Sequence, residues 1–259
     1  MKKIANYLKE SGSNFANTFR RLDRTIFLVV VYDIVFFLSL AAVYRKYSSL
    51  MIKAAGPILE ISIDDMTFVT KQAAQSYLST LHMFYVRMAL YAVLFFLIMV
   101  AIYALTNMLI WSAITSTDIR KQKPGFFIRY SILNLVWCAV WALLYVLVVW
   151  SVRTGVVGYW LVAMALLYGH ITSLVYISFF RRKKAGSAVK SAFSAGFARL
   201  QHFIVPYILA ALVFVLLNII VMPFQRAYIT QVTTVNFIIF LFYFAWLRIY
   251  IHSFAKGLV

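Results

Sequence analysis

Residues 88–117 read MALYAVLFFLIMVAIYALTNMLIWSAITST and contain no charged side chain. An α-helix rises about 1.5 Å per residue, so about 20 apolar residues cross the roughly 30 Å hydrocarbon core of a bilayer. Lipid offers no hydrogen-bond partners to the backbone, and a helix satisfies its backbone groups within the segment itself. The stretch therefore predicts a transmembrane helix.

Five further segments repeat this pattern. The segments 131–151, 154–180, 203–225 and 227–247 contain no Lys, Arg, Asp or Glu, and the segment 25–44 is apolar apart from Asp33. We predict an all-α, polytopic integral membrane protein with six transmembrane helices, which form a single transmembrane domain over residues 1–259. The predicted helices cover about residues 25–44, 88–113, 131–150, 156–180, 203–222 and 235–252.

The composition of the 259-residue chain excludes an ordinary soluble domain. Apolar residues make up 64% of the chain and charged residues 12%, and the mean hydropathy is +0.88. Soluble proteins are nearer to half apolar and a quarter charged. The net charge of +18 would suggest nucleic acid in a soluble protein, but here the basic residues lie between apolar runs. We therefore expect membrane lipid, and not nucleic acid, as the partner of these charges.

The basic residues are distributed unevenly between the two sides of the predicted membrane. Most of them lie in the amino-terminal arm, in the loop after residue 117, in the segment 181–199 and near the carboxyl terminus. Cytoplasmic loops carry such an excess, so both termini are predicted to face the cytoplasm at the cell membrane. The first helix is expected to be an uncleaved signal-anchor, because Asp33 interrupts its apolar core.

One connection, about residues 45–87, is longer than the others and is predicted to be extracytoplasmic. Asp64 and Asp65 in this connection are typical of a helix start, and residues 67–85 show helical spacing of apolar positions. The second membrane helix is thus expected to begin outside the bilayer. A ligand-binding surface on this connection is the alternative interpretation.

A short pattern, Phe-x-Arg-(Leu or Tyr), precedes each odd-numbered helix, at residues 19–22, 127–130 and 197–200. Basic amphipathic segments lie in the headgroup region of anionic membranes. We predict three units, each a short cytoplasmic interfacial amphipathic helix followed by a transmembrane hairpin. Ordinary anchoring by positive charge, without a repeat, is the alternative.

The third of these segments shows the pattern most fully. Its apolar stripe contains Val189, Phe193, Phe197 and Leu200, with two basic residues off the stripe. Such a stripe predicts a helix with its apolar face in the membrane and its basic flank toward anionic headgroups. The hypothesised contacts to anionic lipid are Arg21, Arg129, Lys190 and Arg199.

A buried polar layer is a second hypothesis. Asp33, His170 and Arg248 lie at a similar predicted distance from the cytoplasmic edge of the membrane. An unpaired carboxylate inside the hydrocarbon is costly, so Asp33 is expected to find a partner. A structural ion pair is favoured over a proton or substrate site.

Single polar groups elsewhere in the apolar segments are assigned structural roles. Asn107, Asn134 and Asn218 are expected to make interhelical hydrogen bonds. The lone cysteine, Cys138, lies in an apolar run and is expected to be a buried hydrophobe.

No catalytic signature accompanies these features. The chain has no HExxH, Gly-x-Ser-x-Gly, P-loop or GxGxxG motif, and its four histidines are scattered. We predict no catalytic residue, no metal site and no cofactor. The expected function is that of a non-enzymatic membrane protein which organises lipid or a partner protein. A second copy of the chain is one candidate for that partner. A transporter or permease subunit that uses the polar layer around Asp33 is the alternative.

Overall fold

The structure, a computed structural model, describes residues 12–13, 15–18, 24–59, 71–152, 154–225, 229–256 and 258. These residues form helices and turns, with no β-strand among them. A single 3₁₀ turn, Ile119–Lys121, precedes the third long helix. The main helices are α1 Arg24–Leu59, α2 Lys71–Thr115, α3 Pro124–Ser151, α4 Thr154–Arg182, α5 Ala185–Ala198, α6 Gln201–Gln225 and α7 Ile229–Ala255.

The prediction of an all-α chain with six long apolar helices is confirmed. All of the main helices except α5 are long and apolar enough to cross a membrane. The first two are longer than predicted, because α1 continues past Tyr44 to Leu59 and α2 begins at Lys71. Much of the predicted connection 45–87 is therefore helical. The predicted helix start at Asp64 and Asp65 lies outside the described residues.

The chain divides into two compact units, a large unit of residues 1–34 and 106–259 and a small unit of residues 35–105. In the small unit, aromatic rings join α1 to α2. Phe36 packs edge-on against Tyr103 with ring centroids 6.2 Å apart, and Tyr47 stacks on Phe95 at 4.4 Å. Later residues of α1 thus meet earlier residues of α2, which is an antiparallel register.

The core of the large unit lies toward one end of α3 and α4. The buried residues of α3 fall between Phe126 and Trp137, and those of α4 fall between His170 and Phe180. Aromatic rings fill this region, with Tyr130 5.7 Å from Tyr176 and 5.3 Å from Phe179. The remaining halves of both helices expose apolar side chains. Such exposure costs little in lipid, because acyl chains are as apolar as the side chains themselves.

Helix α5 returns along the end of α4 after the turn at Lys183 and Lys184. Its buried face consists of the small residues Ala188, Ala192, Ala195 and Gly196. Small residues let two helix backbones approach closely, and this packing is common between membrane helices. With 14 residues, or about 21 Å of rise, α5 is too short to cross a bilayer.

The structure revises the predicted interfacial helices. The second Phe-x-Arg segment is not a separate helix, because α3 is continuous from Pro124 and contains it. Proline suits a first helical turn, where its missing N–H leaves no bond unmade, so the helix starts ahead of the motif. In the first segment, Arg21 lies outside the described residues. Phe15 is described there, and it packs edge-on against Trp246 and Tyr250 of α7.

Gly196→Ala is expected to destabilise the protein relative to Gly186→Ala, a matched change in the same helix. A Cβ at Gly196 would lie 2.8 Å from Ile171 Cδ1 and 3.1 Å from Leu174 Cδ1, whereas a Cβ at Gly186 meets nothing within 4 Å. Because Ile171 and Leu174 are fully buried, overpacking costs about 1–3 kcal/mol. An exposed helical glycine instead gains up to about 1 kcal/mol on replacement by alanine. Thermal unfolding in detergent measures the difference, and equal melting temperatures would contradict this packing.

Candidate functional site

Asp33 of α1 and Arg248 of α7 form an ion pair inside the large unit. Nη1 of Arg248 donates to both carboxylate oxygens of Asp33, at 2.8 and 2.6 Å. The Asp33 side chain is 5% exposed and the Arg248 side chain is 28% exposed. The carboxylate is therefore held by its partner in a place where water has little access. Such a pair ties α1 to α7, and its loss would leave a charge buried alone.

His170 belongs to a different cluster. Its Nδ1 lies 2.7 Å from the hydroxyl of Tyr207, and its Nε2 lies 3.4 Å from the carbonyl oxygen of Gly196. Its ring also packs edge-on against Phe203 at 4.8 Å. Within the described part of the chain, no hydrogen bond or ion pair joins His170 to Asp33 or Arg248. The structure thus brings together two residues of the hypothesised polar layer and places the third at the junction of α4, α5 and α6.

A polar ladder joins α3 to α4. The hydroxyl of Tyr176 donates to Oδ1 of Asn134 at 2.6 Å, and Nε1 of Trp137 donates to Oγ1 of Thr172 at 2.8 Å. Asn134 also donates to the carbonyl of Tyr130 in its own helix. Asn134 and Trp137 are three residues apart on α3, and Thr172 and Tyr176 are four residues apart on α4, so each pair lies on one helical face. This spacing is the signal in the sequence that indicates the ladder.

Asn218 behaves differently from Asn134. Asn218 is exposed and donates to the carbonyl of Phe214 in its own helix, so the expectation of an interhelical bond there is wrong. Asn107 is buried in α2. A groove between α6 and α7 includes Asn218 and Asn236 among its lining residues. Asp33, His170 and Arg248 do not line this groove.

Arginine side chains bind backbone carbonyls where several helices of the large unit end. Nη1 of Arg129 donates to the carbonyl of Lys183 at 3.4 Å, and Nη1 of Arg199 donates to that of Leu258 at 3.1 Å. Nη1 of Arg181 donates to the carbonyl of Lys256 at 3.1 Å. These bonds bring the start of α3 and the ends of α4, α5 and α7 into one region, here called the basic end.

Two of these arginines occupy the same position in the Phe-x-Arg pattern. Arg129 at the start of α3 binds a carbonyl just beyond α4, and Arg199 just before α6 binds a carbonyl beyond α7. Each therefore links the two ends of a pair of consecutive helices, a role that the sequence analysis missed. A guanidinium has five N–H donors, so each arginine retains donors for another partner.

The basic end is rich in exposed positive charge. Asp118, the acidic residue described near it, accepts from the backbone N–H of Arg120 and lies 3.6 Å from Nζ of Lys121. The exposed basic side chains of this region are Arg120, Lys121, Lys123, Arg129, Arg181, Arg182, Lys183, Lys184, Lys190, Arg199 and Lys256. The described part of this surface therefore has a strong excess of positive charge.

These features define a class of protein. Six long apolar helices and polar side chains paired between helices are typical of a multi-pass helical membrane protein. Comparison of the chain with family models, with curated proteins and with solved structures gives no match. The class follows from the helices themselves.

Arg248→Gln is expected to destabilise the protein by about 3–5 kcal/mol, because it leaves the Asp33 carboxylate buried without a partner. Asp33→Asn is expected to cost less, since the partly exposed Arg248 side chain can reach a polar environment. The double variant should then show a coupling of about 0.5–3 kcal/mol between the two positions. Unfolding of the four proteins in detergent measures the cycle. Additive effects of the two changes would show that the pair contributes nothing to stability.

Proposed function

We propose that the protein is a non-enzymatic membrane protein which organises anionic lipid at its basic end. The observation that carries the proposal is the concentration of exposed Lys and Arg side chains where α3, α4, α5 and α7 meet, with Asp118 as the acidic residue described beside them. Positive charge at a membrane surface attracts anionic headgroups by about 1 kcal/mol per basic residue. A partner protein, including a second copy of the chain, is the alternative occupant.

The proposal includes an orientation and a topology. The positive-inside rule supports placing the basic end, and with it both termini, on the cytoplasmic side of the cell membrane. Three hairpins are supported by antiparallel contacts between consecutive helices, as between Trp137 and Thr172 or between Tyr243 and Ala210. In two of the hairpins, the Phe-x-Arg arginine links the two ends.

The interior polar groups support a role in assembly and not in catalysis. Asp33 is bound by Arg248, Asn134 by Tyr176, and His170 lies against the hydroxyl of Tyr207. Each of these contacts joins two helices, and a polar side chain committed in this way stabilises the bundle.

Replacing Lys183, Lys184 and Lys190 together by glutamine is expected to weaken binding of phosphatidylglycerol at least about tenfold, since three surface charges are lost. Binding of phosphatidylcholine should not change. The matched control is the same replacement by glutamine at Arg45, Lys46 and Lys53, which are exposed basic residues of the small unit. Lipid binding is measured by native mass spectrometry of the purified protein at low and high salt. Equal binding of both lipids by the wild-type protein would contradict the proposed function.

The Asp33–Arg248 pair is the observation that favours the transporter alternative, because charged residues inside membrane helices often mark a transport pathway. If the protein organises lipid, proteoliposomes that contain a trapped pH-sensitive dye should show only the proton leak of protein-free vesicles. Asp33→Asn should leave this leak unchanged. A wild-type proton flux that Asp33→Asn abolishes, in a protein that still folds, would favour the transporter.

A further inference from the structure

Helix α5 exposes aromatic side chains on the face opposite to its packed face. Phe193 and Phe197 are 41% and 54% exposed, and Leu200, in the turn just after the helix, is 49% exposed. The small residues of α5 are buried against α4. The rings of Phe193 and Phe197 stack with centroids 5.7 Å apart, and Phe193 also packs edge-on against Trp137 of α3 at 6.1 Å. The two exposed rings thus pack on each other, and Phe193 also contacts α3.

Basic residues lie at the start of the same face. Lys190 precedes Phe193 by three residues and Phe197 by seven, so it lies at the edge of the apolar stripe, on the same side of the helix. Lys183 and Lys184 precede the helix, and both are exposed. Along α5 the exposed face therefore changes from basic to aromatic over about 10 Å between Lys190 and Phe197.

We propose that this face of α5 is a binding site for one anionic phospholipid. The phosphate of the headgroup lies at Lys190 and the adjacent lysines, and an acyl chain lies along Phe193, Phe197 and Leu200. The proposal rests on the proposed function, because it names the site at which the basic end holds lipid.

The chemistry of the face favours a lipid over a protein segment. Its basic residues precede its apolar residues, which is the order of headgroup and acyl chain. Arg199, at the far end of this segment, instead donates to the carbonyl of Leu258. Aromatic side chains at the level of the headgroups are a common feature of membrane interfaces. The short length of α5 also suits one leaflet and not a full span.

The test is a titration of the purified full-length protein in detergent, with the first bound lipid counted by native mass spectrometry. Phe193→Ala with Phe197→Ala is expected to weaken binding of phosphatidylglycerol about tenfold, which corresponds to about 1.4 kcal/mol. Leu212→Ala with Ile219→Ala is the matched control and should change nothing, because both are exposed apolar positions on α6, at 54% and 59%. Glycerol phosphate, which has the headgroup charge without the acyl chain, should not compete.

Further variants separate the charge from the apolar contact and from folding. Lys190→Gln is expected to reduce the preference for phosphatidylglycerol over phosphatidylcholine about fivefold, in line with one surface charge. Phe193→Leu with Phe197→Leu keeps an apolar face and should retain affinity within about twofold. Thermal unfolding confirms that each variant is folded.

The outcomes distinguish the two proposals. A wild-type protein without preference for phosphatidylglycerol would overturn the proposed function and this site with it. If the wild-type protein prefers phosphatidylglycerol, but the paired alanine change on α5 weakens binding no more than the α6 control does, this site alone is overturned. Competition by glycerol phosphate would identify a free phosphate site, and a second polypeptide displaced by the alanine change would identify a protein interface. Either result would overturn the lipid site.

Discussion

Inside a bilayer a polar side chain has no water to bind, so it must find its partner within the protein. Three contacts between helices of the large unit follow from this constraint. Asp33 binds Arg248 between α1 and α7, Asn134 binds Tyr176 between α3 and α4, and His170 meets Tyr207 between α4 and α6. Apolar contacts alone would not select these neighbours, because lipid is as apolar as the side chains.

Close packing of small residues sets the position of α5, which the polar contacts named above do not set. Helix α5 lies on α4 through alanine and glycine, and Gly196 fits beside Ile171 and Leu174 because it has no Cβ. That fit also turns the aromatic side chains of α5 outward. The same packing therefore stabilises the large unit and presents the surface on which the lipid proposal depends.

The sequence predicted the transmembrane segments well and the neighbours of individual side chains less well. Hydropathy identified all six long helices, because each must cover the bilayer with apolar residues. Depth along a helix is also readable from residue number, which is why Asp33, His170 and Arg248 were grouped. The direction in which each side chain points around its helix is not readable in this way. His170 is the example, because its side chain lies against Tyr207 and not beside the Asp33–Arg248 pair.

The sequence by itself determined the class of the protein, the number of long helices and the positive charge between them, since these depend on composition and spacing. Tertiary structure alone decided that Arg129 and Arg199 bind carbonyls beyond α4 and α7. It also decided that α5 packs on α4 through its small face, while its aromatic stripe stays exposed and contacts α3 at Trp137. Both outcomes depend on how helices approach and rotate against each other. That geometry is set by contacts between residues far apart in the chain, which a local pattern does not contain.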